Sequence, residues 1–220
     1  MTEAGTGEQE PLDAGDFASW LGEIGRALGG QGGPDVPCNG CTACCRSRQF
    51  VPVGSDERDA LAHIPPNLLF AAPRLPAGTL VLGYDDHGHC PMLVDDRCSI
   101  YEHRPAACRT YDCRVFAATG VDPGPGQEAV SKRVERWHFS FDSDAAVTRG
   151  EACVSAAAFL QDHRELWPHR AADPSRLATA ALAVHDLFAP GDDGRGHPGP
   201  IPPEARHVGA ELDRRARPRP

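Results

Sequence analysis

The chain of 220 residues is 40% hydrophobic but only 6% aromatic, enough for one lean core. Its 23 glycines and 21 prolines crowd toward the ends and confine the expected fold to about residues 14 to 190. A formal charge of −9 and a pI near 5.5 exclude nucleic acid as the main partner, and no apolar run nears the roughly 20 residues that span a bilayer. The acidic opening Met1–Glu10 lacks the apolar centre of a secretory signal, so the expected compartment is the cytoplasm, where thiols stay reduced.

Residues 1–13 are polar and glycine-rich and read as a disordered tail. Asp16 then offers an N-cap to a helix whose apolar residues, Phe17, Trp20, Leu21, Ile24, Ala27 and Leu28, share one face and which Gly29-Gly30 ends. Gln49–Val53 reads as a short extended segment. Ser55 is placed to cap a helix over 56–62, stopped by Pro65-Pro66. Thr79–Tyr84 is the clearest strand, Asp85–Gly88 its turn, and His89–Val94 the returning partner of a hairpin. Asp95-Asp96 makes a further turn. Ser99-x-x-Glu102 matches a capping box, and Pro105 suits the first turn of a helix running through Cys108 and Cys113.

A loop at 118–127 leads to helices near 127–137, 149–166 and 174–188, with Asp173 capping the last and Pro174 its first residue. Trp137–Phe141 has no clear assignment. The stripe Leu177, Ala181, Leu182, His185 and Phe188 reads as core, as does Cys153 among Val154, Ala157 and Leu160. From residue 190 the chain reads as a tail ending in Arg214, Arg215, Arg217 and Arg219.

Eight of the nine cysteines fall in two clusters, Cys38-x2-Cys41-x2-Cys44-Cys45 and Cys90, Cys98, Cys108, Cys113. In a reducing compartment such spacing points to metal ligands or reactive thiols rather than disulfides. Cys38, Cys41 and Cys44 at two-residue spacing, with Cys90 before Pro91 as a remote fourth, match a ferredoxin-type [4Fe–4S] arrangement. Cys45, Cys98, Cys108 and Cys113 are then second-site or alternative ligands. Eight thiolates equally furnish two zinc sites, because zinc accepts looser spacing. A metal-free dithiol switch is a third reading, since Cys-x-x-Cys also lowers thiol pKa.

On one helix Cys108 and Cys113 lie about 140° apart, so they can share an ion only if the helix breaks between them. Arginines follow the cysteines at Arg46, Arg97, Arg104, Arg109 and Arg114, in a chain whose single lysine is Lys132. Arg104 and Arg109 are the best placed to offset the negative charge of a thiolate-bound metal. His87, His89 and His103 are further candidate ligands. Dinucleotide, P-loop, H-E-x-x-H and radical-SAM signatures are absent from the sequence, and no substrate site or catalytic residue emerges.

The run Cys38-x2-Cys41-x2-Cys44-Cys45-Arg46, then Cys90-Pro91-x-Leu93, then Cys98-Ser-Ile100-Tyr101-Glu102-x-Arg104-Pro105-x2-Cys108-Arg109-x-Tyr111, resembles the YkgJ-type cysteine cluster proteins. These are also called the CxxCxxCC or zinc- or iron-chelating domain. The resemblance covers about a third of the chain and implies metal chelation without naming the metal. A similar module occurs in flagellin lysine methylases beside an iron–sulfur cluster, but no methylase activity carries over.

The expected architecture is α+β: a small metal-tethered, cysteine-rich domain with a hairpin and irregular loops, surrounded by helices. The expected divisions are a tail at 1–13, a metal-binding domain at 14–116 that includes the N-terminal helix, helices at 117–189 packed on it, and a tail at 190–220.

Overall fold

The computed structural model describes residues 10–28, 31, 36, 40–72, 75–167, 173–189 and 204–215. In chain order its strands and helices are β1 (Leu12–Asp16), α1 (Phe17–Leu28), β2 (Val51–Val53), α2 (Arg58–His63), β3 (Leu69–Ala71), β4 (Leu80–Leu82), β5 (Leu93–Val94) and β6 (Arg97–Cys98). There follow α3 (Ala106–Arg109), α4 (Arg114–Thr119), α5 (Glu128–Val134), β7 (Trp137–Ser140), α6 (Asp144–Asp162), α7 (Pro174–Val184) and α8 (Ala205–Arg215). The class is α+β, as expected.

These elements form two compact units. The first gathers residues 1–29, 114–121 and 132–220; the second gathers 30–113 and 122–131.

In the helical unit, β1 pairs in parallel with β7, slipping register between Asp13 and Gly15, where Gly15 takes a left-handed φ of 85°. The Asp16 carboxylate then accepts the Ser19 N–H at 2.8 Å and caps α1, and hydrogen bonds from the Ser19 hydroxyl and N–H together lower its pKa. The amphipathic pattern works as read: Phe17, Trp20, Leu21 and Ile24 are buried. Phe139 of β7 meets the edge of Phe17 at 5.3 Å and lies 4.8 Å from Trp20, so the pairing of β1 with β7 places an aromatic cluster over α1.

Ser143 caps α6 by accepting the Ala146 N–H. The buried face of α6 is built from Ala146, Gly150, Ala152, Cys153, Ala156, Ala157 and Leu160, small residues that let α7 approach closely with Leu177, Ala178, Ala181 and Leu182. Asp173 caps α7, accepting from Arg176 N at 2.9 Å, with Pro174 in its first turn. Phe188 closes this core from the 3-10 turn His185–Phe188.

In the cysteine unit, β4 is the centre of a three-stranded antiparallel sheet ordered β2-β4-β3. Val53 and Leu82 from that sheet, Ala60 from α2, Ile64 just after it, and Met92 and Ile100 form one buried cluster, and Cys90 and Cys98 pack against it. The second cysteine cluster is therefore anchored on an apolar floor.

Several expectations change. The hairpin lies one segment later than read: β4 takes β2 and β3 as partners, while β5 pairs with β6. Asp95 (φ 46°) and Asp96 (φ 59°) are consecutive left-handed residues, the backbone of a two-residue hairpin turn that Asp tolerates. Ser55 caps nothing; α2 starts at Arg58 after Glu57. The Ser99 hydroxyl turns back to Met92 O at 3.0 Å instead of closing a capping box. Trp137–Ser140 is a strand whose partner lies some 125 residues away, a pairing that no local pattern announces.

The N-terminal helix belongs with the C-terminal helices and not with the cysteine domain. Within the supposed tail, α8 forms, with Val208 and Leu212 buried and Arg215 clasping Asp186 through two contacts of 2.8 Å. Residues 1–9, 190–203 and 216–220 lie outside the described residues.

The Ser143 side chain holds the first turn of α6 by accepting the Ala146 N–H. Ser143→Ala is expected to cost about 1 kcal/mol, read as a melting temperature lowered by about 2–4 °C.

Candidate metal centre

The first cysteine cluster folds as a tight 3-10 turn, Cys44–Arg46. Arg46 N donates to Thr42 O at 3.0 Å, and buried Ser47 locks the turn by donating its hydroxyl to Ala43 O at 2.9 Å. Successive side chains of a 3-10 turn diverge by a third of a revolution, so adjacent Cys44 and Cys45 face different ways. Even so, the Cys44 thiol reaches the Cys45 sulfur, and that hydrogen bond is the main reason the Cys45 pKa falls to about 7. Burial opposes the fall and the Arg46 guanidinium assists it. Arg46 is itself paired with Asp96 of the hairpin turn.

One backbone hydrogen bond joins the two clusters: Cys90 N donates to Cys45 O at 2.7 Å. This explains why His89–Val94 does not return along β4, since its N–H is already committed to the first cluster. From Cys90 the chain turns, with Leu93 N donating to Cys90 O at 2.9 Å, and the hairpin then sets Leu93 opposite Cys98.

Cys90 and Cys98 thus stand at the two feet of the hairpin. Burial pushes the Cys90 thiol up to about 11, and burial likewise raises Cys98. The backbone N–H of Met92 points at the Cys90 sulfur and that of Ile100 at the Cys98 sulfur, each opposing the rise. Cys45 makes ionisation harder at both, and Cys98 does so at Cys90. The charge of Cys45 is thus felt at both Cys90 and Cys98.

Cys108 sits in the single turn of α3, which ends at Arg109, and Cys113 follows four residues later, before α4 begins. The helix break that a shared ion demands of these two is present. Both are half-buried, as are Cys41, Cys44, Cys45, Cys90 and Cys98, and none of these seven is in a disulfide. Cys38 lies outside the described residues. Cys153 is buried within α6 in the helical unit, its thiol pushed up to about 12 by burial alone, as befits a core residue.

Arg104 is buried yet charged. Its guanidinium donates to Tyr101 O at 3.0 Å and to Val36 O at 3.4 Å, lies 4.0 Å from the centre of the Tyr101 ring, and lowers the cost of ionising Cys98. Arg109 donates to Arg104 O at 2.6 Å, while its own carbonyl receives Val36 N–H at 2.7 Å. Together they fasten Val36, two residues before Cys38, to the strand of chain that carries Cys98 and Cys108. Their role is positional as much as electrostatic.

Arg97 is exposed on β6, and Arg114 donates to Ala14 O at 3.0 Å within the helical unit. His87 and His89 flank a turn organised by Asp85, whose carboxylate receives both their backbone N–H groups. Sequence reasoning missed Glu57. Its carboxylate accepts Gly54 N at 2.7 Å and Ala106 N at 2.5 Å, so it holds the first turn of α3, the helix of Cys108. Only the close packing of α3 near β2 reveals it.

A set of thiolates from separate segments, backed by N–H donors and guanidinium groups, fits a soft or borderline cation, iron or zinc. In the folded, metal-free protein, thiolate forms at the Cys44–Cys45 pair, through Cys45, at a lower pH than at Cys90 or Cys98. A short pulse of iodoacetamide is expected to modify that pair about tenfold faster at pH 8 than at pH 6, while Cys90 and Cys153 stay unmodified. Peptide mass spectrometry checks this.

No helix among the described residues is long and apolar enough to cross a membrane. No curated protein and no solved structure matches the chain. Residues 37–124 do match a family model, described as "CxxCxxCC: Putative zinc- or iron-chelating domain", and this stretch takes in every cysteine of both clusters.

Proposed function

We propose that the chain is an iron–sulfur protein with a redox or cluster-related role, its metal centre held in the cysteine unit. The observation that carries the reading is the hydrogen bond from Cys90 N to Cys45 O at 2.7 Å, which ties the first cysteine cluster to the second, with the charge of Cys45 felt at both Cys90 and Cys98. The Cys38–Cys44 stretch supplies the remaining thiolate, and Cys108 and Cys113 stand as further ligands. The x2 spacing of Cys38, Cys41 and Cys44, and the Cys90-Pro91 step, support a [4Fe–4S]-type cluster. Such a cluster supplies one-electron chemistry. The chain's own residues hold and tune it: N–H groups of Met92 and Ile100 at the sulfurs, Arg46 and Arg104 beside Cys45 and Cys98.

One observation favours a second reading. The charge of Cys45 is felt at Cys90 and Cys98 while the Cys44 thiol donates to Cys45, so both adjacent cysteines join the group, a departure from the strict ferredoxin-like triad that zinc tolerates more readily. On that reading the centre is a closed structural site that serves assembly without catalysis.

Anaerobic purification followed by assay of iron, acid-labile sulfide and zinc separates the two. A brown protein with broad visible absorption supports the cluster; a colourless one with stoichiometric zinc refutes it in favour of zinc. Cys45→Ala and Cys90→Ala are expected to lose most of the bound metal, and Cys153→Ala to retain it. A metal-free wild type with a reversible disulfide overturns both readings.

A further inference from the structure

The cysteine unit carries a second group of donors that the thiolate site does not use. Asp59 and His63 are four residues apart on α2 and therefore share a face, one turn above the other. The 3-10 turn Tyr101–His103 lies against α2 and brings His103 to that face. The His63 and His103 rings stack with centroids 3.6 Å apart and planes within 2°.

Both rings turn Nδ1 toward Asp59. His103 Nδ1 is 2.8 Å from Asp59 Oδ2, and His63 Nδ1 is 2.8 Å from Asp59 O and 3.6 Å from Oδ1. One donor atom from each of the three residues lies within 4.8 Å of the other two. The three side chains are 40–69% exposed, so solvent reaches the group directly. The His103 hydrogen bond holds the Asp59 carboxyl below the usual carboxylate range, and Arg109 adds to this from a distance.

We propose that Asp59, His63 and His103 form a second metal site, distinct from the thiolate centre, that takes a borderline divalent cation such as Zn2+. Two imidazoles and a carboxylate make a nitrogen–oxygen donor set suited to Zn2+, Ni2+ or Fe2+, and three protein ligands leave positions for water. Imidazole pairs rarely stack face to face on an exposed surface without a reason. Here a shared carboxylate holds them side by side, and a bound cation gives two neighbouring nitrogen lone pairs a common target. Binding requires the rings to turn out of their stack, so that the lone pairs, which lie in the ring planes, converge on the ion. At the surface that rotation meets little resistance. The inference does not rest on the identity of the metal in the thiolate site.

The test uses the full chain with its thiolate site already loaded. Zn2+ is titrated in, with binding followed by calorimetry and by NMR of the histidine rings. One further equivalent is expected, with shifts at His63 and His103 and none at His87 or His89. His63→Gln/His103→Gln is expected to weaken this binding by at least about tenfold, the lower end of what losing even an outer partner costs, while leaving the metal of the thiolate site in place. Circular dichroism confirms that the variant folds. Equal zinc uptake by wild type and variant, or uptake that leaves both ring signals unmoved, overturns the proposal.

Discussion

Thiolates repel. Burial makes Cys90 and Cys98 hard to ionise, and the charge of Cys45 makes it harder still at both. Left as thiols they are a modest polar defect on an apolar floor; as thiolates they need a cation. The rest of the cysteine unit follows from meeting that demand. Guanidinium groups and backbone N–H donors stand where the charge would appear, and a buried cluster of Val53, Ile64, Leu82, Met92 and Ile100 gives Cys90 and Cys98 a fixed base.

The scaffold has little regular structure to rely on. Its strands are two or three residues long, and α3 is a single turn. Such pieces do not hold shape through propensity, so position is fixed by individual bonds: Cys90 N to Cys45 O, Val36 N to Arg109 O, Ala106 N to Glu57. A small unit with a thin core commonly recruits metal as a staple. The helical unit has no such need. Alanine-faced α6 and α7 and the Phe17–Trp20–Phe139 cluster give it a continuous apolar interior.

That contrast bears on the function proposed. Metal chemistry and the fold of the cysteine unit are one problem, because the same contacts that shape the loops aim the sulfurs. Most of the helical unit lies outside the family match at 37–124, which takes in only residues 114–121 of that unit.

Local chemistry was legible in the sequence. The face of α1, its Asp16 cap, the Asp173-Pro174 start of α7, the Asp95-Asp96 turn and the burial of Cys153 all follow from residues within a few positions of one another. The cysteine pattern that matches the zinc- or iron-chelating domain model was legible too, because spacing of two residues is itself a local constraint. What the sequence could not decide was pairing over distance. Whether His89–Val94 returns along β4 or binds the first cluster depends on a carbonyl 45 residues away. In which direction each of Cys44 and Cys45 points depends on the phase of one 3-10 turn. The strand at Trp137–Ser140, the α8 helix docked by Arg215 and Asp186, and the meeting of Asp59 and His63 with His103 exist only because the fold brings together segments with no local sign of each other. Propensity acts over one turn, whereas these choices are made by which remote partner satisfies a backbone or side-chain group once the chain is compact.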